Sequence, residues 1–168
     1  MRAALGLGSN LGDRWSLLAD AVAELRELDS EALVSSVYET APVGGPTGQR
    51  AYLNCVVVLE TERSASDLLQ IAHDLEDRAH RVRSVRNGPR TLDVDVLLYG
   101  DEVSDDPVLT LPHPRMYTRA FVLAPLAEVA PDLVRAGWIE SLGGAAAVAL
   151  EVRRVGALLA PTPENLEQ

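Results

Sequence analysis

The sequence predicts an α/β (α+β) fold, a ferredoxin-like sandwich in which helices pack on a mainly antiparallel sheet. Short apolar or alternating segments indicate strands, and two longer segments with apolar residues at helical spacing indicate helices. Their order along the chain is strand, helix, strand, strand, helix, strand. Two strand–helix–strand halves joined by a hairpin produce this sandwich, and we expect its helices on one face of the sheet.

The first half of the predicted sandwich comes from three segments. "AALGLG" (3–8) is short and apolar, as a buried strand would be. The segment 13–28 has apolar residues every three or four positions, which predicts a helix. Residues 33–40 alternate in polarity and include β-branched side chains, so they predict a second strand. The apolar stripe of the helix consists of Trp15, Leu18, Val22 and Leu25.

The second half begins after a loop at 41–50 that is rich in Gly and Pro. "YLNCVVVLET" (52–61) is the strongest strand pattern in the chain. Ser64, followed three residues later by an aspartate, resembles a capping box that begins a helix over 65–80. The strand of "TLDVDVLLYG" follows a second loop, and 118–130 is expected to contain a further short helix.

Length and composition fit one soluble domain, which we expect to span residues 1–160 with a flexible tail at 161–168. No apolar run approaches the ~18 residues of a membrane span, and the N-terminus lacks the apolar core of a signal peptide. Cys55 is the single cysteine, so we expect a buried thiol and a reducing, cytoplasmic setting. We also expect a monomer.

The charge pattern excludes several classes of function. The net charge of −10 argues against general binding to nucleic acid or to an anionic membrane. All 15 basic residues are arginines, so a Walker A lysine and a Schiff-base lysine are impossible. Any phosphate chemistry must therefore use arginine, backbone amides and metal ions.

Two aspartates occur in an apolar strand. In "TLDVDV", Asp93 and Asp95 point to the face opposite Leu92, Val94 and Val96. The two carboxylates would lie about 6–7 Å apart and repel each other unless a cation lies between them. Mg²⁺ completed by phosphate oxygens suits this spacing. A solvated outer face of the strand is the alternative, because Asp-x-Asp alone is a weak signal.

An arginine-rich segment immediately precedes the aspartates. "RAHRVRSVRNGPR" (78–90) contains five of the 15 arginines and no acidic residue. Arginine binds phosphate oxygens in a bidentate manner. A solvated basic loop is the alternative, but the paired carboxylates beside it favour a site for polyphosphate and metal.

Three other patterns carry weaker signals. "GLGSNLG" (6–12) is one residue too long for a dinucleotide-binding fingerprint, so it predicts either a turn that brings Ser9 and Asn10 near a ligand or a purely structural turn. Tyr52 and Asn54 share one strand face and could hold a flat heterocycle, although ordinary packing is the alternative. His113, between two prolines, could contact phosphate or cap a turn.

A helical cluster of metal-binding residue types offers a competing function. His73, Asp77 and His80 are spaced to share the polar side of one helix, which could form the zinc site of a metal-dependent hydrolase. A solvated helix surface is the alternative, because no fourth ligand is apparent. A third possibility is a ferredoxin-like module that binds without catalysis.

Several motifs, taken in order, resemble the 6-hydroxymethyl-7,8-dihydropterin pyrophosphokinase family of folate biosynthesis. They are "LGSNLGDR", "VSSVYETAPVGG", "YLNCVV", "HRVRSVRNGPRTLDVDVLLYG" and "LPHPRMYTRAFVLAPLAEVAPDL". The resemblance extends from about residue 3 to residue 135. The arginine-rich loop joined to "GPRTLDVDVLLYG" and followed by "LPHPRM" is the most specific part.

The resemblance implies a ferredoxin-like fold and transfer of pyrophosphate from ATP to the pterin hydroxymethyl oxygen. It implies two Mg²⁺ ions on Asp93 and Asp95, with Arg81 and Arg90 as the catalytic arginines. The implied ATP contacts are Glu76, Arg81, Arg83, Arg86, Arg90, Val96, Thr110, His113 and Arg119. The implied pterin contacts are Thr40, Val43, Tyr52, Asn54 and Phe121. Two positions depart from the family pattern: Asn87 stands where many members have an aromatic residue, and Tyr117 where many have histidine.

Overall fold

One antiparallel sheet organises the protein, for which a computed structural model describes residues 1–43, 46–81 and 88–158. The strands are β1 (Arg2–Ser9), β2 (Leu33–Val34), β3 (Ser36–Thr40), β4 (Tyr52–Glu60), β5 (Asp93–Tyr99), β6 (Ser104–Asp105), β7 (Thr110–Leu111) and β8 (Val152–Ala157). The helices are α1 (Arg14–Leu28), α2 (Ala65–Arg78), α3 (Ala120–Val129), α4 (Trp138–Ser141) and α5 (Ala145–Glu151). Short 3₁₀ turns span Met116–Thr118 and Pro131–Leu133. The expected tail at 161–168 lies outside the described residues.

The strand order confirms the ferredoxin-like arrangement. The main sheet runs β5–β1–β4–β3–β8, and every pairing in it is antiparallel. Strand β2 also pairs with β4, while β6 and β7 form a separate two-stranded ribbon. The two predicted halves interleave because β1 and β4 lie side by side at the centre. Each half therefore contributes one central strand and one outer strand.

Side-chain caps fix where the two long helices begin. Asp13 caps α1, its carboxylate accepting the Ser16 N–H at 3.1 Å. Helix α2 begins at the predicted capping box, in which the Asp67 N–H donates to Ser64 Oγ at 3.1 Å and the Ser64 N–H donates to Asp67 Oδ2 at 3.0 Å. These bonds pair amide groups that the first helical turn leaves without partners.

The main core lies between the sheet and the apolar faces of α1 and α2. Leu18, Val22 and Leu25 of α1 are buried as predicted, whereas Trp15 at the start of the stripe is 38% exposed. From α2, Leu68, Ala72 and Leu75 enter the same core. The sheet contributes alternate residues of β1, β4 and β5, among them Leu5, Val57 and Val94.

A second core lies on the other face of the sheet, contrary to the expectation that helices would cover one face. Val122 and Leu126 of α3 pack there against Val56 and Leu97 of the sheet. The run "AFVLAPLAEV" is apolar enough to bury such a face, but the sequence pattern does not say which side of the sheet it covers. With α3 on this face, the protein has three layers, and a space remains beyond the N-terminal end of α3.

The segment predicted as one strand over 33–40 is interrupted at Ser35. The Ser35 side chain accepts the Val56 N–H at 2.9 Å, and the Ser35 N–H donates to the Val56 carbonyl at 3.0 Å. The Ser35 hydroxyl thus takes the place of a backbone carbonyl as acceptor in the hydrogen bonds between neighbouring strands. This local substitution separates β2 from β3.

Strand β8 was not predicted, and it extends the sheet beyond β3. Arg153 forms an ion pair with Glu39 of β3. The Arg154 Nε donates to Ser36 Oγ at 2.7 Å, and its Nη2 lies 3.1 Å from Glu128 of α3. These long-range contacts tie the C-terminal strand to both the sheet edge and the second core.

Cys55 lies in the centre of β4 and is 1% exposed. Burial raises the pKa of its thiol to about 12, so the reactive thiolate is scarce at ordinary pH.

Within the described part of the chain, no helix is long and apolar enough to cross a membrane.

We expect a disulfide reagent at pH 8 to leave Cys55 of the folded protein unmodified and to label one thiol per chain after denaturation. The Cys55→Ala variant supplies the blank in both conditions. Absorbance of the released thiol is the measurement. Stoichiometric labelling of the folded protein within minutes would contradict the packing described here.

Candidate active site

A cavity of about 500 Å³ opens on the face of the sheet that carries α3. Gly6 pairs with Asp95 and Gly8 with both Asp93 and Asn54 across neighbouring strands, so these residues share one face. Phe121 and Val122, at the start of α3, form one wall. The β6–β7 ribbon region and α2 contribute the opposite side through Leu109 and Leu69.

Every site residue implied by the family resemblance that the structure describes lines this cavity. They are Thr40, Val43, Tyr52, Asn54, Glu76, Arg81, Arg90, Asp93, Asp95, Val96, Thr110, His113, Arg119 and Phe121. The predicted contacts Arg83 and Arg86, and the departing residue Asn87, lie outside the described residues. Residues far apart in the sequence are thus brought to one place by four strands and two helices.

The two aspartates of β5 differ in their surroundings. Both oxygens of Asp93 are held by guanidinium groups, with Arg81 Nη1 at 2.7 Å and Arg90 Nη1 at 2.5 Å. The Asp95 side chain is 39% exposed at the cavity, and His113 Nε2 lies 3.9 Å from its Oδ2. Burial, followed by repulsion from Asp93, raises the pKa of Asp95 above its ordinary value. Among residues 1–43, 46–81 and 88–158, Asp95 therefore lacks the cationic partners that Asp93 has within hydrogen-bonding distance.

Glu76 organises the base of the cavity from helix α2. Its side chain is only 4% exposed, and its Oε1 accepts the Val94 N–H of β5 at 2.9 Å. The same carboxylate forms an ion pair with Arg81, whose side chain is 8% exposed. Arg81 is therefore buried between Glu76 and Asp93.

His113 and Arg119 lie on the side of the cavity next to Asp95. The His113 N–H donates to the Leu97 carbonyl at 2.8 Å, which attaches the "LPHPR" loop to the free edge of β5. Burial, together with the positive charges of Arg119 and Arg115, lowers the pKa of His113, although Asp95 opposes this effect. Burial and Arg115 also lower the pKa of Arg119. An anion would relieve the repulsion among these groups.

The other end of the cavity presents flat and hydrogen-bonding surfaces. The Asn54 Nδ2 donates to Thr40 Oγ1 at 2.9 Å, and both residues are buried. Tyr52 lies beside them on β4, its pKa raised by burial, and Phe121 faces the same space from α3. Val43 lines the rim and is 77% exposed. Two aromatic rings and a fixed amide are suited to a planar heterocycle.

The proposed zinc cluster of His73, Asp77 and His80 is wrong. Helix α2 ends at Arg78, and His80 adopts a positive φ of 54°, so His80 does not continue the helical face. Asp77 and His80 are exposed, whereas His73 lines the cavity. Over residues 1–43, 46–81 and 88–158, no group of three or more His, Cys, Asp or Glu residues could hold a metal ion.

Comparison with known proteins decides the family. A family model described as 7,8-dihydro-6-hydroxymethylpterin-pyrophosphokinase matches residues 4–131, which is more than half of the chain. The chain belongs to this pyrophosphokinase family. The expectation of a non-catalytic binding module is therefore wrong, because the family consists of enzymes.

Individual relatives agree with the pyrophosphokinase assignment. The chain is 46% identical over 127 residues to the 2-amino-4-hydroxy-6-hydroxymethyldihydropteridine pyrophosphokinase of Bacillus subtilis, covering 74% of this chain and 75% of the relative. It is 48% identical over 139 residues to the enzyme of that name from Methylorubrum extorquens, covering 81% and 87%. A folic acid synthesis protein of Schizosaccharomyces pombe is 37% identical over 132 residues, covering 77% of this chain and 18% of that protein.

A solved structure supports the fold of this pyrophosphokinase. The Plasmodium falciparum HPPK-DHPS chain superposes with a TM-score of 0.61 at 13% sequence identity. The match covers 91% of this chain and 47% of the Plasmodium chain, so this chain spans about half of its length. At this identity the likeness concerns the fold alone.

Some predicted roles need correction within the pyrophosphokinase site. The Val96 side chain is buried in the main core, so only its main chain can contact a ligand in the cavity. Ser9 and Asn10 are absent from the cavity lining, which favours the alternative of a structural turn over a turn that brings them near a ligand. Tyr117 packs beneath Arg135, whose guanidinium lies 3.9 Å from the ring centroid.

Sequence reasoning also missed part of the lining. Gly6 and Gly8 form the floor, because a side chain on the same face of β1 would fill the cavity. A Cβ on Gly8 would lie 3.0 Å from Asn54 Oδ1. Glycines two apart within a strand were a signal for such a floor, because they remove side chains from one face only. His73, Leu69 and Leu109 gave no comparable signal.

Proposed function

We propose that this cavity is where the chain transfers pyrophosphate from ATP to the hydroxymethyl oxygen of 6-hydroxymethyl-7,8-dihydropterin in folate biosynthesis, giving the pterin diphosphate and AMP. The observation that carries the proposal is the position of the Asp93–Asp95 pair. It lies between a pocket of aromatic and amide side chains and a group of arginines. Such an arrangement can place a hydroxyl and a triphosphate on either side of the same two carboxylates.

The pterin occupies the end formed by Tyr52, Asn54, Thr40 and Phe121. The rings of Tyr52 and Phe121 contact its faces, and the exposed Val43 covers it from the rim. The bond from Asn54 to Thr40 fixes the amide orientation, so Asn54 Oδ1 remains available to accept from the heterocycle. A rigid amide of this kind favours one orientation of the ring.

ATP occupies the end formed by Arg81, Arg90, His113 and Arg119, with Thr110 and the Val96 main chain beside it. Arg83 and Arg86 are further proposed contacts outside the described residues. Arginine suits this role because its planar donors match phosphate oxygens. Fixed positive charges around a triphosphate also stabilise negative charge that develops during transfer.

Asp93 and Asp95 would hold Mg²⁺, and two ions are the expected number. The residues fit such ions, because carboxylate oxygens suit Mg²⁺ and because Asp95 faces the cavity with no cation from the described part of the chain in hydrogen-bonding range. When bound, the metal would neutralise triphosphate charge and lower the pKa of the attacking hydroxyl. Asp93 can contribute to the same site, because each of its oxygens keeps a second lone pair while it accepts from Arg81 or Arg90. The triphosphate supplies these arginines with other anionic partners.

The test is to incubate the protein with ATP, Mg²⁺ and hydroxymethyl-dihydropterin and to identify the nucleotide product. We expect one AMP for each pterin diphosphate formed. Formation of ADP would indicate transfer of a single phosphoryl group and would contradict the proposal. AMP formed equally without pterin would mean that water is the acceptor.

The Gly8→Ala substitution tests the pterin end of the cavity. The added Cβ would press on Asn54 Oδ1 at 3.0 Å, and the bond from Asn54 to Thr40 resists displacement. We expect pterin affinity to fall about tenfold, corresponding to one lost hydrogen bond of about 1.4 kcal/mol, while affinity for an ATP analogue changes little.

The matched control is Gly6→Ala, which adds the same group to the same face of β1. There the Cβ would meet the Leu97 side chain at 3.4 Å, an ordinary contact. Calorimetric titration with each ligand separates the two variants. Equal loss of pterin affinity in both variants would contradict the placement of the pterin beside Asn54.

We also propose that the chain acts as a monomer in a reducing compartment such as the cytoplasm. A single cysteine, buried and with a raised pKa, is consistent with a protein that needs no disulfide. Sedimentation of the purified protein at micromolar concentration tests the first part. A dimer that persists on dilution would contradict it.

A further inference from the structure

The turn between β1 and α1 is centred on a buried asparagine that the proposed chemistry does not use. Asn10 is 1% exposed, and its side-chain oxygen and nitrogen both have partners. These partners come from two segments that are about 40 residues apart in the chain, one leading into Tyr52 and the other containing Arg90. The position of Asn10 between them suggests a role beyond shaping its own turn.

On one side Asn10 holds the main chain of Arg90. Its Oδ1 accepts the Arg90 N–H at 2.7 Å. The Arg90 carbonyl in turn accepts the N–H groups of Asn10 and Leu11 at 3.0 and 3.1 Å. Arg90 is therefore fixed on both sides of its Cα, and its guanidinium extends from this anchor to Asp93.

On the other side Asn10 holds the segment 46–50, which leads into Tyr52 of β4. Its Nδ2 donates to Gln49 Oε1 at 3.2 Å and to the Arg50 carbonyl at 3.3 Å. The Gln49 Nε2 then donates to the Pro46 carbonyl at 3.2 Å. A continuous chain of hydrogen bonds thus runs from Pro46 through two side-chain amides to the main chain of Arg90.

Only a side chain with one acceptor and two donors in this geometry can make all three side-chain bonds of Asn10. Its amide orientation is fixed, because Oδ1 must face the Arg90 N–H and Nδ2 must face the Arg50 carbonyl. Aspartate would keep the acceptor and lose both donors. Leucine would have a similar size and lose all three bonds.

We propose that Asn10 is a positioning residue that couples the segment 46–50 to Arg90, so that occupancy of the pterin end of the cavity alters the phosphate end. The coupling rests on the proposed function, because it assigns the pterin to the side of Tyr52 and the phosphates to Arg90. Movement of either segment shifts Asn10, and Asn10 shifts the other segment. Since a displaced arginine stabilises transferring phosphate less well, the coupling links pterin binding to the assembly of the reactive geometry.

The first experiment measures amide hydrogen exchange in the protein without ligands. Gln49→Ala removes one partner of Asn10 without touching Arg90, and we expect exchange of the Arg90 amide to accelerate about fivefold or more. Arg50→Ala is the matched control, because it removes a guanidinium bond to the Gly12 carbonyl at 3.3 Å and leaves the Asn10 contacts in place. Unchanged exchange at Arg90 in Gln49→Ala would overturn the proposal, as would equal acceleration in both variants.

The second experiment measures the ratio of pterin affinities with and without a non-hydrolysable ATP analogue and Mg²⁺. We expect the analogue to tighten pterin binding to the unaltered protein and Asn10→Leu to reduce this ratio about fivefold or more. Affinity for each ligand alone should change by no more than about twofold. A purely structural asparagine would lower the melting temperature and leave the ratio intact, and that result would overturn the proposal.

A second variant and the exchange experiment distinguish failure of the coupling from misfolding and from failure of the proposed function. If Asn10→Leu does not fold, Asn10→Asp retains the acceptor for Arg90 and loses the donors, so it must still reduce the ratio. If the unaltered protein binds no pterin, the proposed function fails, whereas the exchange experiment still decides whether Asn10 transmits motion to Arg90.

Discussion

We expect the Asp95→Asn variant to lose turnover by roughly 10³-fold or more while the protein remains folded. The Asp95 carboxylate faces the cavity beside Asp93, and no cation among the residues that the structure describes lies within hydrogen-bonding distance of it. Removing its charge should therefore weaken the proposed site for Mg²⁺ and also relieve repulsion in the absence of ligands. The melting temperature of the ligand-free variant should be unchanged or higher than that of the unaltered protein.

The pH dependence of stability has a definite sign. Burial and Asp93 raise the folded-state pKa of Asp95, so folding favours its protonated form. This contribution to stability is present below the ordinary carboxyl pKa of about 3.9 and is lost as the pH rises through the raised pKa. The stability advantage of Asp95→Asn should therefore grow as the pH rises above about 4 and level off beyond the raised pKa.

Steady-state formation of AMP and thermal melts across this pH range are the measurements. Asp105→Asn is the matched control, because Asp105 is exposed on β6 and is absent from the cavity lining. Asp105→Asn should retain normal turnover and show no comparable gain in stability as the pH rises. Near-normal rates for Asp95→Asn at ordinary Mg²⁺ concentration would contradict the assignment of Asp95 as a metal ligand.

The topology of the central sheet could be predicted because each strand has a strong local pattern. Alternation in β5 separated Asp93 and Asp95 from Val94, and the capping box located the start of α2 within one residue. Strand β8 could not be predicted in the same way. Its pairing with β3 depends on contacts of Arg153 and Arg154 with residues far away in the chain. Local sequence does not encode such contacts.

Part of the candidate site could likewise be predicted from the sequence, and part could not. Motifs in the sequence identified the residue types of the cavity, including Arg90 and His113, and the family resemblance supplied their expected roles. The sequence did not show which side chains pair with each other, because these pairings depend on where helices and strands end. Helix α2 stops at Arg78, and this end separates His80 from His73 and directs Arg81 towards the buried Glu76. The false zinc cluster and the unexpected burial of Arg81 have the same origin.

The buried pair of Glu76 and Arg81 leads to the second large effect. We expect Arg81→Met to reduce the free energy of unfolding by about 3 kcal/mol, because it leaves the Glu76 carboxylate buried without this guanidinium. Arg78→Met is the matched control, because Arg78 lies in helix α2 together with Glu76. Its ion pair with Glu24 is exposed, so its loss should cost less than about 1 kcal/mol. Chemical denaturation of the two variants gives the comparison.

A double variant separates the structural role of Arg81 from its proposed catalytic role. Glu76→Gln removes the buried charge, and its amide oxygen can still accept the Val94 N–H that Glu76 accepts at 2.9 Å. Arg81→Met with Glu76→Gln should therefore recover most of the lost stability. Turnover should stay about 10²-fold to 10³-fold below normal, because no side chain replaces the guanidinium at the transferring phosphate. Single-turnover rates should fall more than nucleotide affinity, as expected for a contact that strengthens in the transition state.

Recovery of both stability and turnover would mean that Arg81 serves only to neutralise Glu76. Recovery of neither would mean that the cost of Arg81→Met arises from its contact with Asp93 and not from the buried carboxylate of α2.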